Sequence, residues 1–246
     1  MVFPIHEENI DGITEFSSLR PQMKENRFYD TLLALPLFLG MSRSDLRQAA
    51  GKTRFDFHKV PAGETIVREG ERCQHLVFLL TGDIDVITEA DDHGYRIEED
   101  ITAPEIFQPE CIFGLNQHFT HTYIAQNDCS IMRIEKQEVV KLSEAFGIFR
   151  INILNLISTQ VQKMSRRTLR VPPKTLEERI IRFFESHCIR PAGKKTFYIK
   201  MTRIADEVND SRLDVSRALN HLEKEELLEL HRGRVAIPAL EKLINR

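Results

Sequence analysis

Hydrophobic positions change their spacing several times along the chain, and each change marks a different kind of element. Residues 27 to 50 carry apolar side chains at helical intervals. The pattern breaks at Pro36 and restarts at Ser42, where Asp45 three positions on completes a helix-start signature. From about Thr53 the period falls to two and the runs become short. Phe55 and Phe57, Thr65–Val67, residues 75 to 80, 84 to 88, 95 to 97, 123 to 125 and 130 to 134 read as strands, with Gly63, Gly70, Gly82 and Gly94 at the corners. Short strands at that spacing predict an antiparallel sandwich or barrel of about 80 residues. Helical spacing then returns in residues 136 to 142 and in a longer stretch, about 148 to 170, which Pro172-Pro173 ends. Thr175 with Glu178 forms a capping box for a helix over Leu176–His187. Residues 1 to about 25 have weak periodicity and read as an extension or a loose helix.

In the long helix Leu154, Ile157, Val161 and Met164 alternate by three and four, the seam of a two-stranded coiled coil. Two heptads do not exclude packing within one chain. Phe149, Ile151, Ile153 and Leu156 widen the stripe, so the helix is expected to touch both a second copy and its own barrel.

The run from Thr202 to Leu222 predicts a short helix, a turn and a second helix. Thr202 can accept from free N–H groups at a helix start, and Ile204, Ala205 and Val208 supply an apolar face. Asn209-Asp210 tolerate the turn conformation, and Ser211 opens the next helix with Asp214 three residues on. Val215, Ala218, Leu219 and Leu222 form one buried stripe. On the far side lie Leu213, Arg217, Asn220 and Lys224, flanked by Ser216 and His221, with Arg212 at the N-terminal end. Arginine forks onto guanine, an amide pairs with adenine and an apolar group meets a thymine methyl, so this face suits the major groove; the alternative is a solvated polar face. Downstream, residues 227 to 237 give two apolar runs around Gly233, a hairpin whose tip carries Arg232 and Arg234 over phosphates.

Charge supports that division of labour. The net charge of −3 conceals a strong asymmetry: residues 161 to 246 hold 19 Lys and Arg against 12 Asp and Glu, a net of +7, which leaves the first 160 residues at −10. A basic C-terminal part suits a polyanion and an acidic N-terminal part suits something else. The four cysteines, Cys73, Cys111, Cys129 and Cys188, are widely spaced, without the pairs of a zinc ribbon, and read as reduced thiols. No metal site is expected. The chain shows no signal-peptide layout or membrane span, so a cytoplasmic location is expected. No nucleophile–base pair or phosphate loop suggests an enzyme.

A barrel, a long helix and a winged helix-turn-helix in this order resemble the cyclic-AMP receptor and fumarate-nitrate regulator (CRP/FNR) family of transcription factors, from about Leu32 onward. The residues carrying the resemblance are Pro61-Ala62-Gly63-Glu64-Thr65-Ile66 through Glu69-Gly70, Leu79-Leu80-Thr81-Gly82-Asp83-Ile84, and Ser211-Arg212 through Val215-Ser216-Arg217. The resemblance implies an α+β fold: an extension over residues 1–30, a cyclic-nucleotide-binding-like antiparallel jelly-roll barrel with flanking helices over 31–147, a dimerisation helix over 148–171 and a winged helix-turn-helix domain over 172–246. It implies a homodimer on a near-palindromic DNA site, with RNA polymerase as a further partner. Thr202, Ser211, Arg212, Leu213, Ser216, Arg217, Asn220, His221, Arg232 and Arg234 are the expected DNA contacts. The two prolines mark a domain boundary and a hinge.

Departures from the family are specific. Its nucleotide binders carry a Gly-Glu pair followed by an Arg-Ser or Arg-Thr pair, the arginine neutralising the cyclic phosphate. Here Pro109-Glu110 and His121-Thr122 stand instead, and an imidazole replaces a guanidinium poorly. Cyclic AMP is therefore not expected as effector. Glu110, His121 and Thr122 are the candidate pocket for an unidentified small molecule, if the barrel senses one at all. No compact N-terminal cysteine group precedes Cys73 for an iron–sulfur cluster, and His75, His118 and His121 leave haem open. Leu213 stands where a glutamate often reads cytosine. Thr202-Arg203 sits two residues nearer Ile204-Ala205 than the family's pair, so Arg203 inherits no phosphate role. A second reading is a ligand-binding module that regulates through protein contacts.

Overall fold

The structure, a computed structural model, describes residues 22–246; most of the expected N-terminal extension lies outside them. Helix α1 (Gln22–Leu33) runs across the expected extension–barrel boundary at residue 30 and buries Tyr29 and Leu32 in the barrel core. Its Phe28 ring meets Phe55 and Phe57 edge-on, so this helix is part of the barrel domain. A 3₁₀ turn (Pro36–Phe38) follows, then α2 (Arg43–Lys52). Ser42 caps α2 as expected: its Oγ accepts from Asp45 N at 3.0 Å and the Asp45 carboxylate accepts from Ser42 N at 3.3 Å.

Eight strands build the barrel: β1 (Phe55–Val60), β2 (Thr65–Val67), β3 (His75–Thr81), β4 (Asp83–Glu89), β5 (Tyr95–Thr102), β6 (Glu105–Phe107), β7 (Thr122–Ala125) and β8 (Cys129–Glu135). Strand β6 is the one that the alternation does not predict. One sheet has the order β1-β8-β3-β6, and every pairing in it is antiparallel. Phe78, Leu79, Ile131, Met132 and Ile134 of this sheet are buried with Ile84, Val86 and Ile101 of the other.

Helix α3 (Lys136–Ala145) leads into α4 (Gly147–Thr168), which stops before the two prolines. The C-terminal part comprises α5 (Leu176–His187), β9 (Lys195–Ile199), α6 (Met201–Val208), α7 (Arg212–Lys224), β10 (Glu229–His231), β11 (Arg234–Ile237) and α8 (Leu240–Ile244). The predicted capping box of α5 is present, with Thr175 Oγ1 accepting from Glu178 N at 3.2 Å.

The two halves are not merely tethered. Strand β9 pairs antiparallel with β5 from Tyr95↔Ile199 to Glu99↔Lys195, which creates a seven-stranded sheet, β10-β11-β9-β5-β4-β7-β2. A separation at Pro172-Pro173 describes the covalent path but not the packing. Residues 97, 99 and 101 of β5 share a face. Ile101 enters the barrel core, Ile97 enters the C-terminal core, and Glu99 stands between them.

Candidate nucleic-acid interface

The helix pair forms as its sequence dictates, with one shift. Strand β9 continues to Ile199 and Lys200 is still extended, so α6 begins at Met201 with no side-chain cap. Thr202 therefore lies exposed inside the first turn rather than at the cap. Asn209 ends α6 at φ +50°, a left-handed position that asparagine tolerates, and Asp210 N donates to Ala205 O at 3.0 Å. Arg179 of α5 fastens this turn: Nη1 donates to Val208 O at 2.7 Å and to Asn209 O at 3.3 Å, and Nη2 reaches Asp210 Oδ2 at 2.5 Å. The backbone N–H of Ser211 and then Arg179 hold the Asp210 carboxyl below its ordinary range. No sequence signal singles out Arg179, because its partner turn lies 29 to 31 positions away.

Ser211 caps α7, its Oγ accepting from Asp214 N at 3.1 Å. Val215, Ala218, Leu219 and Leu222 are buried, and the opposite face is open. Leu213 is 61% exposed, a large apolar side chain turned to solvent in the middle of that face. Arg212 is exposed, and Arg217 Nη1 lies 3.1 Å from Asp214 Oδ1, which holds the guanidinium near the N-terminal turn. Asn220 Nδ2 donates to Ser216 O at 2.6 Å. His221 departs from this group. Its Nδ1 lies 2.8 Å from Glu177 Oε1, and Glu177 also pairs with Arg246, so the imidazole is drawn into a network with α5 and the chain end. Strands β10 and β11 pair around Gly233 at φ +72°, with Arg232 exposed and Arg234 half-buried.

In the barrel the candidate pocket residues go separate ways. Thr122 Oγ1 accepts from Glu69 N at 3.0 Å, His121 Nδ1 meets Thr88 Oγ1 at 3.0 Å, and exposed Glu110 receives a long contact of 3.5 Å from Gln160 of α4. Burial lowers the His121 pKa and so favours neutral imidazole. Strands β6 and β7, which belong to opposite sheets, bring Phe107 and Tyr123 into a stack with centroids 4.1 Å apart and planes 8° from parallel. Both rings are buried, and burial pushes the Tyr123 hydroxyl above the usual tyrosine range. Gln108, next to Phe107 in the chain, takes φ +34° and clamps Thr120, accepting from its N at 2.9 Å and donating to its Oγ1 at 2.6 Å. The sequence gives no sign of the stack, since no local pattern links residues 107 and 123.

On α4, Phe149, Ile153 and Leu156 pack on the barrel. Leu154, Val161 and Met164 are exposed and Ile157 is half-buried, so the broad stripe divides into an edge packed on the barrel and an edge open to solvent. Ile151 falls on the exposed edge.

Residues 57–146 match the cyclic nucleotide-binding domain family, and residues 178–246 match the Crp-like helix-turn-helix domain family. Together the two matches span about two thirds of the chain. The chain belongs to the CRP/FNR family. This CRP/FNR protein is 23% identical over 179 residues to the cAMP-activated global transcriptional regulator CRP of Pasteurella multocida, a match covering 71% of this chain and 86% of that one. Its fold is similar to that of a crp/fnr family putative transcriptional regulator from Eubacterium rectale, with a TM-score of 0.50 and 19% identity, over 86% of this chain and 97% of that one. The Thermus thermophilus catabolite activator protein covers the same share of this chain, and 97% of its own, with a TM-score of 0.47 and 18% identity. The protein is thus a transcriptional regulator of the CRP/FNR type with a helix-turn-helix DNA-binding domain, in a family of regulators rather than enzymes. Among the described residues no helix is long and apolar enough to cross a membrane.

Proposed function

We propose that this regulator works as a homodimer that reads a near-palindromic DNA site without cyclic AMP as its effector. The observation that carries the DNA reading is the Ser211-capped helix α7, which buries Val215, Ala218, Leu219 and Leu222 and presents Arg212, Leu213, Arg217 and Asn220 outward. A helix so mounted enters a major groove, while the first helix of the pair crosses the backbone. Arg232 at the wing tip adds a phosphate contact. Leu213 supplies an apolar contact suited to a thymine methyl, so the preferred half-site differs from that of relatives with an acid there.

The exposed row Leu154, Val161 and Met164 supports the dimer, since two copies of it form a self-complementary seam that sets two α7 helices about 34 Å apart on one face of the duplex. RNA polymerase is the further partner of such a regulator.

The barrel supports the cyclic AMP part of the reading. Its phosphate cassette offers the imidazole of His121, which burial biases toward the neutral form, instead of a guanidinium, and Phe107 and Tyr123 of opposite sheets stack with centroids 4.1 Å apart. No cofactor is assigned: His118 and His121 have separate local partners, Asn116 and Thr88. An effector, if one acts, is of another chemical class.

Selection of bound duplexes from a random pool, run without additions and again with cyclic AMP, tests the reading. The expected outcome is one enriched two-fold motif in both selections, bound with an affinity that falls steeply as salt rises. Enrichment only in the presence of cyclic AMP would overturn the effector assignment. No enrichment in either would return the chain to a module acting through protein contacts.

A further inference from the structure

Arg203, in the first turn of α6, does not face open solvent. The tip of the β4–β5 hairpin reaches over it: Asp92 Oδ2 lies 2.8 Å from its Nη1, and Glu207 of the same helix lies 2.8 Å from Nη2. The guanidinium also stands 5.7 Å from the centre of the Tyr95 ring. Its Nε is buried with no hydrogen-bond partner among the described residues, so the site holds the cation without satisfying all of its donors. Glu89 and Asp91 flank Asp92 on the hairpin, with His93 Nδ1 3.0 Å from Glu89.

This contact is set by the β5–β9 pairing that joins the barrel to the winged helix. At the other end of the same pairing stand Lys195 and Glu99, both completely buried, with Nζ 2.8 Å from Oε2 as an ion pair off the hydrogen-bond axis. Glu99 also accepts from Ile189 N at 2.7 Å and from Arg190 N at 3.3 Å. Nearer the surface, Tyr198 Oη donates to Glu98 at 2.8 Å, Lys194 pairs with Asp100 at 3.2 Å, and Arg190 pairs with Glu105.

In a helix-turn-helix the first helix crosses the DNA backbone, so a cation in its first turn is placed to meet a phosphate. In the docked arrangement a carboxylate occupies that partner position. A duplex brings one negative charge about every 1.7 Å, which three acids at the hairpin tip oppose. We propose that the barrel masks the helix-turn-helix: Asp92 stands in for a DNA phosphate on Arg203, and tight DNA binding requires the β5–β9 seam to part. The mask rests on the DNA-binding reading above. It gives the barrel a route of control through the β4–β5 hairpin, whatever sits in the cassette, because anything that moves the hairpin frees Arg203.

A reversible lock on the full chain tests this. Glu98 and Thr196 face each other across β5 and β9, at a cross-strand separation roughly within disulfide reach, and the four native cysteines are all buried. The Glu98→Cys/Thr196→Cys protein is oxidised, then half is reduced, and both halves are titrated with the duplex recovered by selection. The oxidised form is expected to bind about tenfold more weakly or worse, with reductant restoring affinity, because only the unlocked fraction is competent. Separately, Asp91→Asn/Asp92→Asn is expected to bind about twofold to fivefold more tightly than the unaltered protein, the scale of an exposed ion pair. Equal binding by oxidised and reduced forms, a pair that never cross-links, or weaker binding by the hairpin variant overturns the mask. Failure of both redox forms to bind any duplex overturns the DNA-binding reading itself, and the mask with it.

Discussion

Glu99 and Lys195 show how a single pair of residues can decide what the rest of the chain does. Charges removed entirely from water are tolerated only when paired and hydrogen-bonded, and Glu99 meets that condition with an ammonium and two backbone N–H groups. Removing one member leaves the other buried and unpaired. Glu99→Gln is accordingly expected to lower stability by about 3 to 5 kcal/mol, whereas Glu99→Met with Lys195→Met costs much less; a double-mutant cycle in urea measures the difference. Additive single losses would contradict the pairing. His121 makes a second residue-scale case. Burial depresses its folded pKa, so below the ordinary histidine value of about 6.5 the unfolded chain binds the extra proton and stability falls as the solution is acidified. His121→Asn should lose less stability than the unaltered protein between pH 7.5 and 5.5, about one unit either side of that value; parallel urea midpoints would refute it. On the DNA side, Arg217→Ala is expected to cost about 1 to 3 kcal/mol at the selected site and to relax base preference there. Equal loss on every duplex would make Arg217 a phosphate contact.

Elements whose signals are local are legible in the amino-acid sequence alone. Ser42 with Asp45, Thr175 with Glu178 and Ser211 with Asp214 each lie within four residues, and all three caps are present where the spacing places them. The alternating strands and the Gly233 hairpin are legible for the same reason. What is not legible depends on partners far along the chain. Strand β9 has the composition of a strand, Thr196-Phe197-Tyr198-Ile199, but it meets β5 about a hundred positions earlier, and periodicity carries no information about that choice. Thr202 reads as a cap from its neighbours and is not one, because β9 runs on to Ile199 and Lys200 takes the cap position. The Phe107–Tyr123 stack and the grip of Arg179 on the inter-helix turn are likewise products of tertiary contact. Helix α4 is intermediate: its stripe is readable, and the barrel decides which edge stays free. Val161→Glu places a charge on the free edge without touching the packed one, so light scattering should give a monomer mass while far-UV circular dichroism is unchanged. An unchanged dimer mass would remove α4 as the seam.

At the scale of the whole molecule, charge and topology act in the same direction. An acidic first part at −10 and a basic second part at +7 attract each other, and the shared sheet converts that attraction into a defined register. The two hydrophobic cores lie on one face of one strand, with Ile97 in one and Ile101 in the other, so neither core can be exposed without disturbing the edge of its neighbour. A chain of two domains joined only by a hinge unfolds in two steps; one whose cores share β5 should unfold in one. The chain has no tryptophan, and its four tyrosines divide usefully: Tyr29 and Tyr123 lie in the barrel, while Tyr95 and Tyr198 lie at the seam. Urea curves followed by tyrosine fluorescence and by far-UV circular dichroism, which is dominated by the helices, should coincide for the unaltered protein. In Glu99→Gln the seam is weakened while both cores remain, so the curves should separate, with the helical signal of the C-terminal part lost before the barrel tyrosines respond. Separate transitions in the unaltered protein would mean that β5 and β9 touch without coupling their domains, and the barrel would then have no mechanical hold on the helices that read DNA.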